Sequence, residues 1–114
     1  MTQGEGAMAG DSHSYTVPFD RVWQALKAIL APERGWTEIS ADPKSGSILS
    51  ERRTPLLRRP LHLLVTVSLD ADGFTRVDAV FLNPRTNQPA RLQRQRTRRF
   101  FRRLNRALRA DRGS

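Results

Sequence analysis

The stretch LHLLVTVSLDADGFTRVDAVFL, residues 61–82, decides the fold of this chain. Residues 61–69 place an apolar side chain at every second position, which is the period of a strand with one buried face. Residues 70–73, Asp-Ala-Asp-Gly, supply turn chemistry, with Gly73 as the left-handed residue. The alternation resumes over residues 74–82. The stretch therefore predicts an antiparallel hairpin with one apolar face.

An amphipathic helix is predicted upstream of this hairpin. Residues 15–17 give a short extended segment, and Pro18 suits a first helical turn, where its missing N–H leaves no bond unmade. Pro32 and Gly35 end the helix. Its apolar stripe follows the helical period and consists of Val22, Trp23, Leu26, Ile29 and Leu30. One face of this helix is therefore expected to pack on the sheet.

A second hairpin lies between this helix and the first hairpin. Residues 36–41 alternate as a strand that is half in water. Three of its residues are expected to share one face: Thr37, Ile39 and Ala41. Residues 42–46 form the turn, where Gly46 permits a positive φ, and residues 47–53 return as a strand. Residues 54–60 are bracketed by prolines, which cannot donate to a sheet ladder, so we expect a loop there.

The last predicted element is a second helix. Residues 83–89 have the composition of a loop, in which Thr86 or Asn87 is expected to cap the helix and Pro89 to lie in its first turn. The element order is then β-α-β-β-β-β-α. Segregated hairpins with a helix at either end predict an α+β fold. We expect a helix-grip-like sandwich, in which two helices cover one face of a four- or five-stranded antiparallel sheet.

The 114 residues are expected to form one domain over residues 14–110. Residues 1–13 are predicted to be a disordered leader, and residues 111–114 a tail. Neither the basic nor the apolar region of a secretory signal is present, so the sequence as written predicts a cytoplasmic protein, or a periplasmic envelope protein if an export signal has been removed. No apolar run approaches the roughly 20 residues of a transmembrane helix, so no membrane span is expected.

The predicted last helix carries the whole net charge of the chain, which is +9. Residues 91–112 contain ten arginines, no lysine and a single acid, Asp111, whereas residues 1–90 are formally neutral. A helical wheel places seven residues on one arc of about 120°: Ala90, Thr97, Phe100, Phe101, Leu104, Ala107 and Leu108. The arginines lie on the opposite side. Those expected to bind an anionic partner are Arg91, Arg94, Arg98, Arg99, Arg102, Arg103, Arg106 and Arg109.

Arginines three or four residues apart on this helix, such as Arg98 and Arg102, are like-charge neighbours. Each exposed pair of this kind costs about 0.2–0.5 kcal/mol. One interpretation is a plain solvated face. The other is a partner that relieves the repulsion: an acidic protein, an anionic membrane surface, or the backbone of a nucleic acid bound without sequence preference. Insertion into a membrane is disfavoured because Phe100 and Leu104 are needed for the core.

Motifs that carry chemistry are missing from the sequence. The chain has no cysteine, which excludes disulfides, thiolate metal sites and thiol catalysis. His13 falls in the leader, and His62 lies on a strand with no second metal ligand at a suitable spacing. Asp70 and Asp72 fit turn chemistry better than a calcium loop. The chain is therefore predicted not to be an enzyme and to hold no metal and no cofactor.

Part of the sequence resembles a known family. Residues 15–30, YTVPFDRVWQALKAIL, followed by GWTEI at 35–39, Asp42 and SGSI at 45–48, are similar to the small helix-grip modules of the bacterial outer-membrane assembly lipoprotein (NlpB/BamC) type and related envelope domains. The shared residues are fold residues, so the resemblance implies no site residue. It implies a noncatalytic interaction module of the bacterial cell envelope.

These observations together predict a noncatalytic binding or scaffold module. It would engage an acidic protein or another anionic surface through the arginine-rich face of its last helix. The first alternative is a nonspecific nucleic-acid-binding protein. The second is a small carrier of a lipid or another ligand, which would need an apolar cavity of about 300 Å³ or more between the helices and the sheet.

Overall fold

The computed structural model describes residues 11–52, 60–90 and 93–113, with side chains as far as residue 110. Five strands and two α-helices follow one another in the predicted order. They are β1 (Asp11–Tyr15), α1 (Phe19–Ile29), β2 (Trp36–Asp42), β3 (Ser47–Arg52), β4 (Leu61–Leu69), β5 (Thr75–Leu82) and α2 (Gln93–Gly113). A 3-10 helix, Pro32–Arg34, links α1 to β2.

The five strands form a single antiparallel sheet in the order β1-β5-β4-β3-β2. The two hairpins lie side by side in the sheet. β1 pairs with β5 and forms one edge of the sheet, and β2 forms the other. Both helices contact the sheet and each other. The expected α+β fold, with two helices packed on an antiparallel sheet, is confirmed.

The core lies between the helices and the inner face of the sheet. The sheet supplies Ile48, Leu63, Val65, Val67, Val77, Ala79 and Phe81, and the helices supply Val22, Leu26, Ile29, Phe100, Phe101, Leu104 and Leu108, all buried. Trp36 is also buried in the core, and its ring centroid lies 6.5 Å from that of Phe81. The alternation of residues 61–82 therefore marked the buried face correctly.

The turn between β4 and β5 has the predicted chemistry. One carboxylate oxygen of Asp70, Oδ1, accepts the backbone N–H groups of Asp72 and Phe74 at 2.9 Å each. Gly73 takes a φ of 83°, which only glycine adopts without strain. Leu69, the last apolar residue of the alternating run, is exposed at the strand end.

The turn between β2 and β3 brings two backbones into close contact. Gly46 has a φ of 75°, and its carbonyl oxygen accepts the backbone N–H of Val67 on β4 at 2.6 Å. A Cβ at position 46 would lie 2.2 Å from the carbonyl oxygen of Val67. The site therefore needs glycine for its conformation and also for space.

The predicted alternation along β2 is wrong. The register shifts between Glu38 and Ser40, which leaves Ile39 in a bulge with nearly half of its surface exposed. A bulge inserts one extra residue and reverses the side on which later residues point. Glu38, which precedes the bulge, lies on the helix side of the sheet like Trp36 and pairs with Lys27 of α1. The reversal returns Ala41 to the same side, so Thr37 and Ala41 do not share a face.

Two predicted boundaries also differ from the structure. Residues 11–13, assigned to the leader, pair with β5 as part of β1, whereas residues 1–10 lie outside the described residues. Pro89 forms a bridge with Leu82, and Asn87 has a φ of 59°, so neither is part of α2. The segment before α2 extends the sheet by one bridge before the helix begins.

Candidate anion-binding site

Helix α2 is held on the sheet by its apolar side. Phe101 and Leu104 are almost completely buried, and the ring of Phe101 stacks on that of His13 in β1 with a centroid distance of 3.9 Å. Thr97 is also buried, and its hydroxyl donates to backbone carbonyls of the preceding turn, which satisfies its polar group. The apolar arc predicted from the sequence is therefore committed to the fold.

The arginines on the arginine-rich face of α2 form two separate rows. The β1-side row, Arg98, Arg102 and Arg109, lines a cleft beside Asp11 and His13. The β3-side row, Arg96, Arg99, Arg103 and Arg106, lies toward the end of β3. Within the second row, Arg96 and Arg103 are half-buried. Of the other arginines predicted to bind an anion, Arg94 is exposed and Arg91 lies outside the described residues.

The arginines of α2 have no acidic partners among the described residues. The ion pairs found there join Asp11 to His13, Lys27 to Glu38, Glu51 to His62 and Arg76 to Asp78. None involves α2. A surface helix that packs only for stability usually mixes charges so that neighbouring turns attract. Within the described residues, the positive charge of α2 is therefore not offset by an ion pair.

A further arginine from the sheet joins the β3-side row. The guanidinium of Arg52, the last residue of β3, lies over the ring of Trp36 at 5.3 Å from the ring centroid. Burial lowers the pKa of Arg52, and the positive charges of Arg103, Arg99 and Arg96 lower it further. The guanidinium of Arg52 thus lies close enough to three arginines of α2 for their charges to destabilise its own.

Two of these arginines, Arg52 and Arg103, border an open cleft of about 570 Å³ beside α2. Arg52, Arg103 and Arg106 line it together with Arg34, which lies at the end of the 3-10 helix. Its apolar wall consists of Ile29 of α1 and Ala107 and Ala110 of α2. No acidic residue is among the described residues that line it. Chemically, the cleft offers guanidinium donors and positive charge beside a small apolar surface.

The cleft on the β1 side is less basic. Asp11 contributes a carboxylate to it, and Asn105 contributes an amide oxygen that accepts the hydroxyl of Tyr15 at 2.6 Å. Burial raises the pKa of Tyr15 to about 12. The β1 side of α2 is therefore held to β1 by a hydrogen bond, and its cleft contains one carboxylate. The cleft on the β3 side has no acidic residue among its described lining residues.

The sequence did not single out three residues of this site: Arg34, Arg52 and Arg96. Arg52 was placed on a strand, and no periodicity in the sequence shows which helix faces the end of that strand. Arg34 lies between Pro32 and Gly35, the two residues predicted to end the first helix, and was given no role. A usable signal was present in Arg52 itself, because an arginine that follows the alternation of β3 is directed toward the helix side.

The other candidate groups have structural roles. Nε2 of His62 lies 3.2 Å from a carboxylate oxygen of Glu51 on the neighbouring strand. Asp70 holds its turn, as described above. In the part of the chain that the structure covers, no group of three or more potential metal ligands comes together. Neither described helix is long and apolar enough to cross a membrane.

Comparison with known proteins gives no relative for this site. No protein-family model matches the chain, and no curated protein and no solved structure matches it. The class that the fold and the site define is therefore a small α+β domain with a basic helix laid on an antiparallel sheet. Its function has to be argued from the site alone.

Proposed function

We propose that this protein is a noncatalytic binding or scaffold module that engages an anionic partner through the arginines of α2. The observation that carries the proposal is the positive charge of the described part of this helix, which no described acid offsets. One side of α2 is occupied by the core, and the described arginines on its other sides have no acidic partner within the described residues.

The energetics support a partner. Like-charge neighbours along α2 destabilise the free protein by about 0.2–0.5 kcal/mol per exposed pair. Repulsion of Arg52 by the β3-side row adds to this cost, since two of those arginines are half-buried and less screened by water. An anionic partner removes the repulsion and gains bidentate guanidinium contacts, which favour carboxylate and phosphate groups.

Binding to soluble polyanions tests the proposal. Polyglutamate represents an acidic protein, and heparin and a short DNA duplex represent other anionic chains. We expect binding at about 50 mM salt that weakens steeply as salt is raised, because most of the free energy is electrostatic. The double variant Arg98→Glu and Arg102→Glu, which alters the β1-side row, should weaken it at least tenfold.

A charge-matched control distinguishes the contribution of α2 to binding from that of the net charge of the protein. Arg76→Glu with Arg85→Glu changes the net charge by the same amount on β5 and on an exposed loop. It should change the affinity less than threefold. Equal losses in the two double variants would show that net charge alone is measured, and no binding to any of the three polyanions would overturn the proposal.

Nonspecific nucleic-acid binding is the second candidate. The arginines from Arg94 to Arg109 extend along about 22 Å of helix, a length that can follow several backbone phosphates. Tighter binding to DNA than to polyglutamate of equal charge would favour this candidate. The carrier alternative calls for an apolar cavity between the helices and the sheet, whereas the two clefts that flank α2 are open and lined by arginines.

The resemblance to envelope lipoprotein modules supplies a proposed location only. On that basis, we propose that the module acts at the bacterial cell envelope. Fractionation of cells that express the native gene tests it. Recovery in the cytosolic fraction alone would contradict the envelope location and leave the binding proposal standing.

A further inference from the structure

The β3-side cleft differs from the rest of the basic surface in its shape. Arg34, Arg52, Arg103 and Arg106 come from three separate elements, the 3-10 helix, β3 and α2, and border one concave space of about 570 Å³. Pockets of about 300–1,000 Å³ are typical of small-molecule sites. The arginines of a solvated helix face diverge, whereas these border a common space.

None of the described residues that line this cleft is acidic. Arg52, which borders the cleft, is repelled by Arg103, Arg99 and Arg96 of α2. Of these three arginines, Arg103 borders the cleft as well. A compact anion in the cleft would therefore relieve the repulsion between Arg52 and Arg103.

The cleft is also held in place before anything binds. The Trp36 ring supports the guanidinium of Arg52 from below, and the buried position of Trp36 on β2 fixes that ring. Cation–π contact leaves the N–H groups at the guanidinium edge available to a ligand. Arg103 is half-buried on a helix whose apolar side is locked in the core. Preorganised donors lose little conformational entropy on binding.

We propose that this cleft is a binding site for a diphosphate group. The inference rests on the proposed function and deepens it by naming the ligand chemistry and the part of the arginine face that takes it. A carboxylate brings one negative charge, whereas a single phosphate monoester already brings about 1.5–2 near pH 7. Two linked phosphates place enough charge and enough acceptor oxygens in one compact group to engage four guanidinium donors. The wall of Ile29, Ala107 and Ala110 accommodates an apolar part of the same ligand.

Titration calorimetry of the full chain with inorganic pyrophosphate, at about 150 mM NaCl and without divalent metal, tests the site. We expect one pyrophosphate per chain, bound at least tenfold more tightly than citrate, a tricarboxylate of similar charge. Arg52→Gln and Arg103→Gln should each weaken pyrophosphate binding at least tenfold. Arg85→Gln, which removes the same charge from an exposed loop outside the arginine face, should change it less than twofold. Thermal melting of each variant confirms that it is folded.

A second experiment distinguishes the source of the phosphates. Phosphatidylcholine vesicles that contain phosphatidic acid present phosphate on a lipid headgroup, and pyrophosphate is added as a competitor. Binding in solution without vesicle binding assigns a free diphosphate, and vesicle binding that pyrophosphate displaces assigns a headgroup. Either result keeps the cleft as a phosphate site.

Three results would overturn the inference. They are absence of pyrophosphate binding, equal affinity for citrate, or an equal loss in Arg85→Gln and Arg52→Gln. If polyglutamate or DNA still binds while pyrophosphate does not, the diphosphate site fails and the proposed function stands. If none of these anions binds, both fail together.

Discussion

The guanidinium of Arg52 lies over the ring of Trp36, and the two residues are paired directly across strands β3 and β2, with 5.3 Å between the guanidinium carbon and the ring centroid. The contact places a positive charge on the helix side of the sheet. Burial lowers the pKa of Arg52, and the nearby arginines of α2 lower it further. The π face of Trp36 is thus the favourable neighbour of a charge that is otherwise surrounded by like charges.

This arrangement predicts that salt stabilises the protein. Raising NaCl from about 20 to 300 mM screens the repulsion among Arg52, Arg99 and Arg103 and should raise the Tm by about 2–6 °C. The double variant Arg99→Gln and Arg103→Gln should be more stable at low salt and respond less. Arg76→Gln, which breaks an attractive pair with Asp78, should not reduce the response. A Tm in the wild type that is flat or falls with salt would contradict the repulsion.

The two turn glycines should respond differently to substitution. Gly73→Ala meets nothing within 4 Å and carries only the cost of a positive φ, about 1–2 kcal/mol. Gly46→Ala carries the same cost and also brings its Cβ to 2.2 Å from the carbonyl oxygen of Val67. We expect it to lose at least about 2 kcal/mol more in urea unfolding. Equal losses would show that the β2–β3 turn moves away from β4 without resistance.

Tyr15 should give the protein a pH-dependent stability in the alkaline range. Its pKa is about 12 in the folded state, above the ordinary value near 10, because burial favours the neutral phenol. Its contribution is complete below about pH 10 and is lost as the pH rises toward 12. Tyr15 is the only tyrosine, so tyrosinate absorbance follows this one group.

The matched variant for this measurement is Tyr15→Phe. Urea unfolding between pH 9 and 11.5 should show a fall in stability for the wild type that is smaller for the variant. If tyrosinate forms near pH 10 in the native protein, the hydroxyl of Tyr15 is not held against Asn105 as the structure has it.

The docking of α2 should depend on Phe101. Its ring is 1% exposed and stacks on His13, so Phe101→Ala should destabilise the fold by about 3–5 kcal/mol. Leu69→Ala removes a side chain that is 68% exposed and should change the free energy of unfolding by less than about 0.5 kcal/mol. Chemical unfolding measures both. If Phe101→Ala does not fold, Phe101→Leu should lie between the two, and a neutral effect of Phe101→Leu would contradict the packing.

Local pattern predicted most of this fold, and long-range pairing explains what it missed. The alternation of residues 61–82 and the turn at Asp70 specify a hairpin by short-range chemistry alone. The bulge at Ile39 has no such signature, because an inserted residue is visible only against its partner strand. Pro89 is compatible with the end of a strand as well as with the start of a helix. Its bridge to Leu82 places it beside the sheet, and this long-range contact is not visible in the local sequence.

The candidate site was predicted only in part for the same reason. The helical wheel separates Phe100 and Leu104 from the arginines with no knowledge of the sheet. It gives no information on where the end of β3 lies. Arg52 is positioned by the pairing of β3 in the sheet, and Arg34 by the 3-10 helix that links α1 to β2. Their proximity to Arg103 therefore depends on tertiary structure.

The place of α2 in the chain has a consequence for synthesis. All five strands emerge from the ribosome before this helix, and the inner face around Phe81 stays uncovered until Phe100 and Phe101 have been made. An unfinished chain therefore exposes an apolar sheet face and two unpaired edge strands, which makes it prone to aggregation. The arginine-rich segment that emerges after the strands covers this face and also adds positive charge, which keeps nascent copies of the protein apart.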